Sequence, residues 1–240
     1  MCTFSNEAVM TPLLLAAVLL FSPPALAQAA GGASADEARR LFAEGKKLVE
    51  ANCADCQGAS QGALADGLAK LRQALEAGLT DKVAAYRALV DGYASLAFAF
   101  SRGDSPEQRA ALEEQRRAYQ DWLALEPRNI QVLYDYAFTF PQAADRLPVL
   151  ERLLEIDPKH GEALFAVGEI DLEAGRVEAA LAKMQKAFDG AQGELAVSLG
   201  ERLLEVYELN RRPADAQRVR ARLAAIKVEL KRLEQGGQPG

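Results

Sequence analysis

Apolar residues recur three and four positions apart along most of this chain, the spacing that lines one face of an α-helix. Leu41, Phe42, Gly45, Leu48 and Val49 mark such a face up to about Asn52, and Ser34-Ala35-Asp36-Glu37 before them has the form of a capping box. Leu64, Leu68, Leu71 and Leu75 mark a second helix over about 61–77, with Gly78 placed to end it. A longer stripe opens at Asp81 and runs through Tyr86, Leu89, Tyr93, Leu96 and Phe100. Ser105-Pro106-Glu107-Gln108 starts the next helix, with serine at the N-cap and proline at the first helical position, and that helix ends before Pro127. Asn129 caps a helix through Leu133, Tyr136 and Phe140. Pro141 and Pro148 then predict a loop at 141–145 and a helix from about Arg146, so that Pro148 falls in its first turn. Helices follow at about 161–174, 177–189, 195–209 and 213–235. β-Branched runs are almost absent. The expectation is an all-α chain of ten helices, paired as antiparallel hairpins by short connections.

The second half repeats. Leu123-Ala-Leu-Glu-Pro-Arg-Asn129 is echoed by Leu154-Glu-Ile-Asp-Pro-Lys-His160, and the prolines Pro127 and Pro158 lie 31 residues apart. A hairpin of that length cannot bury its apolar face alone, so it must stack on similar hairpins.

From Gly161, large and small residues alternate in a particular order. Leu164, Val167 and Gly168 lie in the first helix, and Ala180, Met184 and Ala187 in the second. This pattern resembles the tetratricopeptide repeat (TPR), with Asp171 where the family has a tyrosine and Gln192 where it has a proline. A second copy from about Val197 matches at Leu203, Tyr207, Ala216 and Leu223, with Arg220 at an aromatic position. A looser copy from Ile130 to Pro158 matches at Leu133, Ala137, Phe140, Leu150 and Leu153. The resemblance covers roughly 125–235 and implies a short right-handed α-solenoid.

In that family the first helix of each repeat lines a concave groove. The resemblance therefore points Glu162, Phe165, Glu169 and Leu172 inward from the best copy, Gln131, Tyr134 and Phe138 from the looser one, and Ser198, Glu201, Glu205 and Glu208 from the last. Pro141 breaks the pattern at the twelfth position of the looser copy. A groove with aromatics at one end and carboxylates at the other suits a protein or peptide segment carrying apolar anchors and basic residues. The same resemblance leaves open that Tyr134 or Phe165 packs against a neighbouring helix instead.

Charge changes the picture little. With 28 Lys/Arg against 34 Asp/Glu the net charge is −6, which argues against nucleic acid as the main partner. The last helix is the exception, with eight Lys/Arg between Arg211 and Glu234. A solvated cap on the array is the plain reading, and a dock for an acidic partner or anionic lipid the sharper one.

The first residues read as an address. The apolar run Thr11–Phe21, the break at Ser22-Pro23-Pro24 and Ala25-Leu26-Ala27 predict a signal peptide at 1–27, cleaved before Gln28, although no basic residue precedes the run. The expected layout is a linker at 28–34, an N-terminal hairpin at 35–80, a longer repeat-like hairpin at 81–127, repeats with a capping helix at 128–235 and a disordered tail at 236–240. Export to a periplasm or the exterior follows, with no span left in a membrane after cleavage.

Cys53-Ala-Asp-Cys56 stands apart. The segment Gly45 to Gly58 resembles the haem-attachment segment of class I c-type cytochromes, but Gln57 replaces the ligating histidine, so no haem is expected. Two cysteines at this spacing in an oxidising compartment are expected to form a local disulfide, contributing on the order of 1–2 kcal/mol because the loop is tiny. The rival reading is a redox or electron-transfer accessory built on the pair. No nucleophile–base–acid set, phosphate loop or metal-ligand cluster is legible, and His160 reads as a solvated turn residue. The expected role is a non-enzymatic adaptor without a cofactor.

Overall fold

The computed structural model describes residues 27–53, 60–100 and 105–236. The expected signal peptide, apart from Ala27, and the expected tail, apart from Gly236, lie outside them, as does Cys56. Ten α-helices and no strand occur among the described residues. They are α1 (Ala27–Ala51), α2 (Gln61–Glu76), α3 (Lys82–Ala99), α4 (Pro106–Leu125), α5 (Ile130–Ala137), α6 (Ala143–Ile156), α7 (Gly161–Glu173), α8 (Val177–Gly190), α9 (Gly193–Leu209) and α10 (Pro213–Gly236).

Polar side chains start these helices as the sequence predicts. Asp81, Ser105 and Asn129 accept hydrogen bonds from the N–H groups of Ala84, Gln108 and Val132 at 3.0–3.1 Å. Each removes one of the four unpaired donors at a helix start. Successive helices pair as hairpins, α1 with α2 through to α9 with α10, and each hairpin packs on the next. The result is a TPR-like α-solenoid.

Four local expectations are corrected. α1 begins at Ala27, so residues 28–34 are helical, and Ser34 is not an N-cap: its hydroxyl donates to Ala77 O at 2.8 Å, tying α1 to the end of α2. α5 ends at Ala137, three residues early, because Phe140 precedes a proline and is pushed out of the helical region. Phe138, Thr139 and Phe140 instead form a tight turn onto the carbonyls of Asp135, Tyr136 and Ala137. α6 then starts at Ala143 rather than near Arg146, which puts Pro148 in its second turn. The carbonyl that Pro148 leaves unserved belongs to Ala144, whose side is exposed to water. His160 is no solvated turn residue either. Its Nδ1 accepts from Ala163 N–H at 3.2 Å and caps α7, while its ring lies 5.4 Å from that of Tyr134.

Glycine sets the closest helix approaches. A Cβ on Gly45 would meet Gly67 O at 2.8 Å, and one on Gly67 would meet Gly45 O at 3.0 Å, so α1 and α2 cross backbone to backbone. At Gly168 a Cβ would meet Met184 at 2.7 Å and Ala180 O at 3.1 Å. That contact explains why small residues stand at 168 and 180 in the best repeat copy.

Two buried clusters meet at α7. Ala163, Ala166, Val167 and Ile170 belong to a cluster that extends back to Val49, and Leu164 and Phe165 to one that extends on to Leu223. Leu154 packs against both. Residues 163–168 are therefore buried on every side, and the apolar spine is unbroken.

Asp171 is buried in this spine, where the repeat pattern expects tyrosine, and is held by Arg176 and Lys183. Burial pushes its carboxyl pKa up, but hydrogen bonds from Lys183 and Arg176 outweigh that and hold it below the ordinary value of 3.8. A lowered folded pKa stabilises the protein above the unfolded value and loses its effect as pH falls through the folded one. Asp171→Asn should thus lower stability by about 1 kcal/mol at pH 7, a figure discounted because both cations are partly in water. The gap between the two proteins in urea unfolding should close progressively below about pH 4; an equal gap at pH 7 and pH 2.5 would refute the charge-based account.

Candidate partner-binding cleft

A length mismatch opens the principal cleft. α4 has 20 residues and α5 has eight, or about 30 Å against about 12 Å of axis. Because Pro141 cuts α5 short, the N-terminal half of α4, paired with α3 on its other side, has no full-length neighbour on the α5 side. The space left is a cleft of about 1100 Å³, lined by Arg109, Leu112, Arg116 and Tyr119 of α4 and by Tyr134, Asp135, Phe138, Phe140 and Pro141.

Its walls are aromatic and its rim is charged. The Tyr134 and Phe138 rings meet at a tilt of 51° with centroids 4.8 Å apart, and Phe138, 45% exposed, is the large apolar side chain at the mouth. The guanidinium of Arg146 lies 5.0 Å from the Phe138 ring and donates to Phe140 O at 3.1 Å. Arg116 donates to Thr139 O at 3.0 Å and covers the Phe140 ring at 5.4 Å, so two arginines brace the turn that ends α5. Tyr119 forms the floor, and burial, with Asp135 and Asp91 nearby, drives its hydroxyl pKa up. The Tyr134 hydroxyl is pushed up to about 12, first by burial and then by Glu162, while Arg202 pulls the other way.

The groove residues named from the repeat register divide into two sets. Gln131, Tyr134 and Phe138 share one face of α5 and its C-cap, and Tyr134 and Phe138 line the cleft. Glu162 and Glu205 are exposed and form no ion pair among the described residues. Phe165 is 1% exposed and packed in the second cluster beneath Arg202, whose guanidinium lies 4.4 Å from its ring. Leu172 is half-buried against the same cluster. Glu169 pairs with Arg202, Glu201 with Lys227 at 2.6 Å and Glu208 with Arg220 at 2.5 Å, so three of the expected groove carboxylates are already neutralised.

The repeat register does not place those cations. Arg202 adjoins Glu201, the residue assigned inward, so a slip of one position hid it. A second signal was available in the period itself. Glu169–Arg202, Glu178–Arg212 and Asp189–Arg222 are ion pairs at sequence separations of 33, 34 and 33, one repeat length each. Arg222 also covers the Phe188 ring at 4.4 Å, as Arg202 covers Phe165. The same clasp, an arginine on a buried phenylalanine and a neighbouring acid, fastens α7 to α9 and α8 to α10. The cleft itself was hidden because it follows from α5 stopping early.

Cys53 borders a smaller hollow between α1 and α3, with Lys46, Arg87 and Asp91. Gly45, which the cytochrome-like segment shares, serves the close crossing of α1 and α2. No group of three or more His, Cys, Asp or Glu among the described residues could hold a metal ion, and no described helix is long and apolar enough to cross a membrane.

No protein-family model matches the chain, and no curated protein sequence does. Solved structures do. MamA (residues 41 to the end) from Desulfovibrio magneticus RS-1 superposes with a TM-score of 0.54 at 16% identity, over 83% of this chain and 97% of that one. A MamA RS-1 double mutant gives 0.53 at 17% identity, over 85% and 99%. A tetratricopeptide repeat protein from Parabacteroides merdae gives 0.47 at 15% identity, over 80% of each chain. At such identities the likeness to MamA is one of fold, and that fold is an α-solenoid of stacked, antiparallel, TPR-like hairpins.

Proposed function

We propose that this chain is a non-enzymatic adaptor, exported to a periplasm or the exterior, that holds an extended or helical segment of a protein partner. The observation that carries this reading is the Tyr134–Phe138 pair at the mouth of the α4–α5 cleft: two aromatic rings in tilted contact, one of them 45% exposed, beside a space of about 1100 Å³. Aromatic anchors in a partly desolvated hollow supply most of the affinity in such grooves. Asp135 and Asp145 on the rim, with Glu162 beyond, favour a segment whose apolar residue enters the cleft while its lysines or arginines stay outside. Export rests on the apolar run at 11–21 and the small residues at 25 and 27.

Peptides selected on the purified protein from a random display library should carry a large apolar residue flanked by basic ones. Phe138→Ala should weaken the best of them at least about tenfold, with the unfolding midpoint unchanged. Peptides that bind the variant as tightly would place the site elsewhere.

A further inference from the structure

Two polar side chains on the floor of the α4–α5 cleft carry hydrogen-bonding capacity that the protein does not use. Gln115 and Tyr119 stand one turn apart on the face of α4 that lines the cleft, and they are 8% and 7% exposed. The Tyr119 hydroxyl makes no hydrogen bond among the described residues, although its ring meets that of Tyr136 at 5.8 Å. Gln115 donates from its amide nitrogen to Val90 O of α3 at 3.4 Å, which leaves its carbonyl oxygen without a partner among the described residues. The neighbouring Tyr136 shows the usual arrangement, its hydroxyl accepting from Gln120 at 2.8 Å. Side-chain polar groups this deep in a protein are as a rule hydrogen-bonded. Neither oxygen is sealed inside, since the fully enclosed side-chain polar atom without a partner among the described residues is Arg146 Nε. Both oxygens therefore open on the cleft that their residues line.

We propose that the cleft selects a tyrosine of the partner segment, whose hydroxyl accepts from the Tyr119 O–H and donates to the Gln115 carbonyl. This assignment deepens the adaptor reading and rests on the cleft being the partner's site. The two floor groups have different needs. A glutamine carbonyl only accepts. Tyr119 is held in its protonated form by burial and by the carboxylates of Asp135 and Asp91, so it has a proton to give. One atom of the ligand must therefore both donate and accept. A phenol does so at the tip of a flat ring, and that ring suits the aromatic wall of Tyr134 and Phe138. Phenylalanine and leucine offer the floor nothing, and on closing the cleft they bury both oxygens unpaired. The indole N–H of tryptophan and the ammonium of lysine only donate, which leaves the Tyr119 proton unserved. A site that hydrogen-bonds a ligand hydroxyl rejects the analogue lacking it far more strongly than an apolar hollow discriminates by shape. The rings at the mouth supply affinity, and the floor supplies the choice of side chain.

Peptides that a random display library yields on the purified protein, and that Phe138→Ala weakens, should carry tyrosine as their anchor. The best of them is made with tyrosine and with phenylalanine at that position, and both are titrated by fluorescence anisotropy. The parent protein should hold the tyrosine peptide at least about tenfold more tightly. Tyr119→Phe should remove most of that preference, weakening the tyrosine peptide while leaving the phenylalanine peptide within about twofold. Its unfolding midpoint should not move, because the hydroxyl holds nothing in the protein itself. Gln115→Met, close in shape, should reduce the preference similarly. A preference that either variant leaves intact, or leucine and phenylalanine anchors that still depend on Phe138, would overturn the tyrosine assignment while the cleft stands. A library with no binder, or binders indifferent to Phe138→Ala, would remove the cleft and this proposal with it.

Discussion

Phe165→Ala should cost about 3–5 kcal/mol of stability, the usual penalty for emptying a fully buried aromatic site. Phe165 is 1% exposed, lies in the cluster that joins α7 to α9 and is roofed by Arg202. Truncation leaves a cavity, because α7 is packed on every side and cannot move in to fill it. It also strips Arg202 of the ring beneath it, leaving only the pair with Glu169. The repeat register instead assigns Phe165 to a ligand. The two accounts part company in one comparison. Urea unfolding of Phe165→Ala and Phe138→Ala should show a large shift for the first and one within about 0.5 kcal/mol for the second. If Phe165→Ala keeps the parental midpoint, the side chain is free to meet a partner and does not belong to the core.

Gly45→Val should be comparably damaging for the opposite reason. At this position the nearest obstacles are main-chain atoms, Gly67 O at 2.8 Å and Leu71 N at 3.0 Å from a Cβ, and main chain cannot rotate aside. The only relief is to move α1 away from α2, which exposes Val49 and breaks the Ser34 tie to Ala77 O. Overpacking of this kind costs about 3 kcal/mol, against which the better helix propensity of a non-glycine residue offsets about 0.5 kcal/mol. Limited proteolysis should show the first cuts in α1, with the fragment from α3 onward persisting. Protection of α1 equal to that in the parent protein would contradict the backbone crossing. At Gly168 the first obstacle is the flexible Met184 side chain, so the same change there should be milder.

These two residues show how far the sequence could be read. Helix positions were legible because they depend on neighbours a few residues away: caps at Asp81, Ser105 and Asn129, and apolar stripes at helical spacing. Where one proline competed with another the reading slipped, since Pro141 ends α5 through the residue before it while Pro148 is tolerated inside α6. His160 was misread because an imidazole nitrogen is an unusual cap acceptor, and only the α6–α7 turn shows Nδ1 aimed at Ala163 N–H. The site was half legible. Tyr134 and Phe138 line the cleft on the side where the repeat register puts them, because their helix is short and its C-terminal turn keeps both together. Phe165 lies in the core because residues 163–168 of α7 are buried on every side, so over that stretch no periodicity distinguishes groove from core. The inter-repeat cations are legible only in the 33–34-residue spacing of acid and arginine, since the register alone depends on which rows of two helices meet, and a one-position slip exchanges Glu201 for Arg202.

The arginine clasps give the array a direction. At two successive levels the earlier hairpin presents a phenylalanine with an acid, and the later one reaches back with the cation: Arg202 to Phe165 and Glu169, Arg222 to Phe188 and Asp189. α9 and α10 carry those arginines in place of a further ring and acid, so they can only receive, as a terminal plug does. A tandem duplication of α7–α8 would set acid on acid and ring on ring, and lengthening the array by that route demands a cation in each inserted hairpin. The order of the hairpins is therefore written into their polarity, and they are not interchangeable bricks.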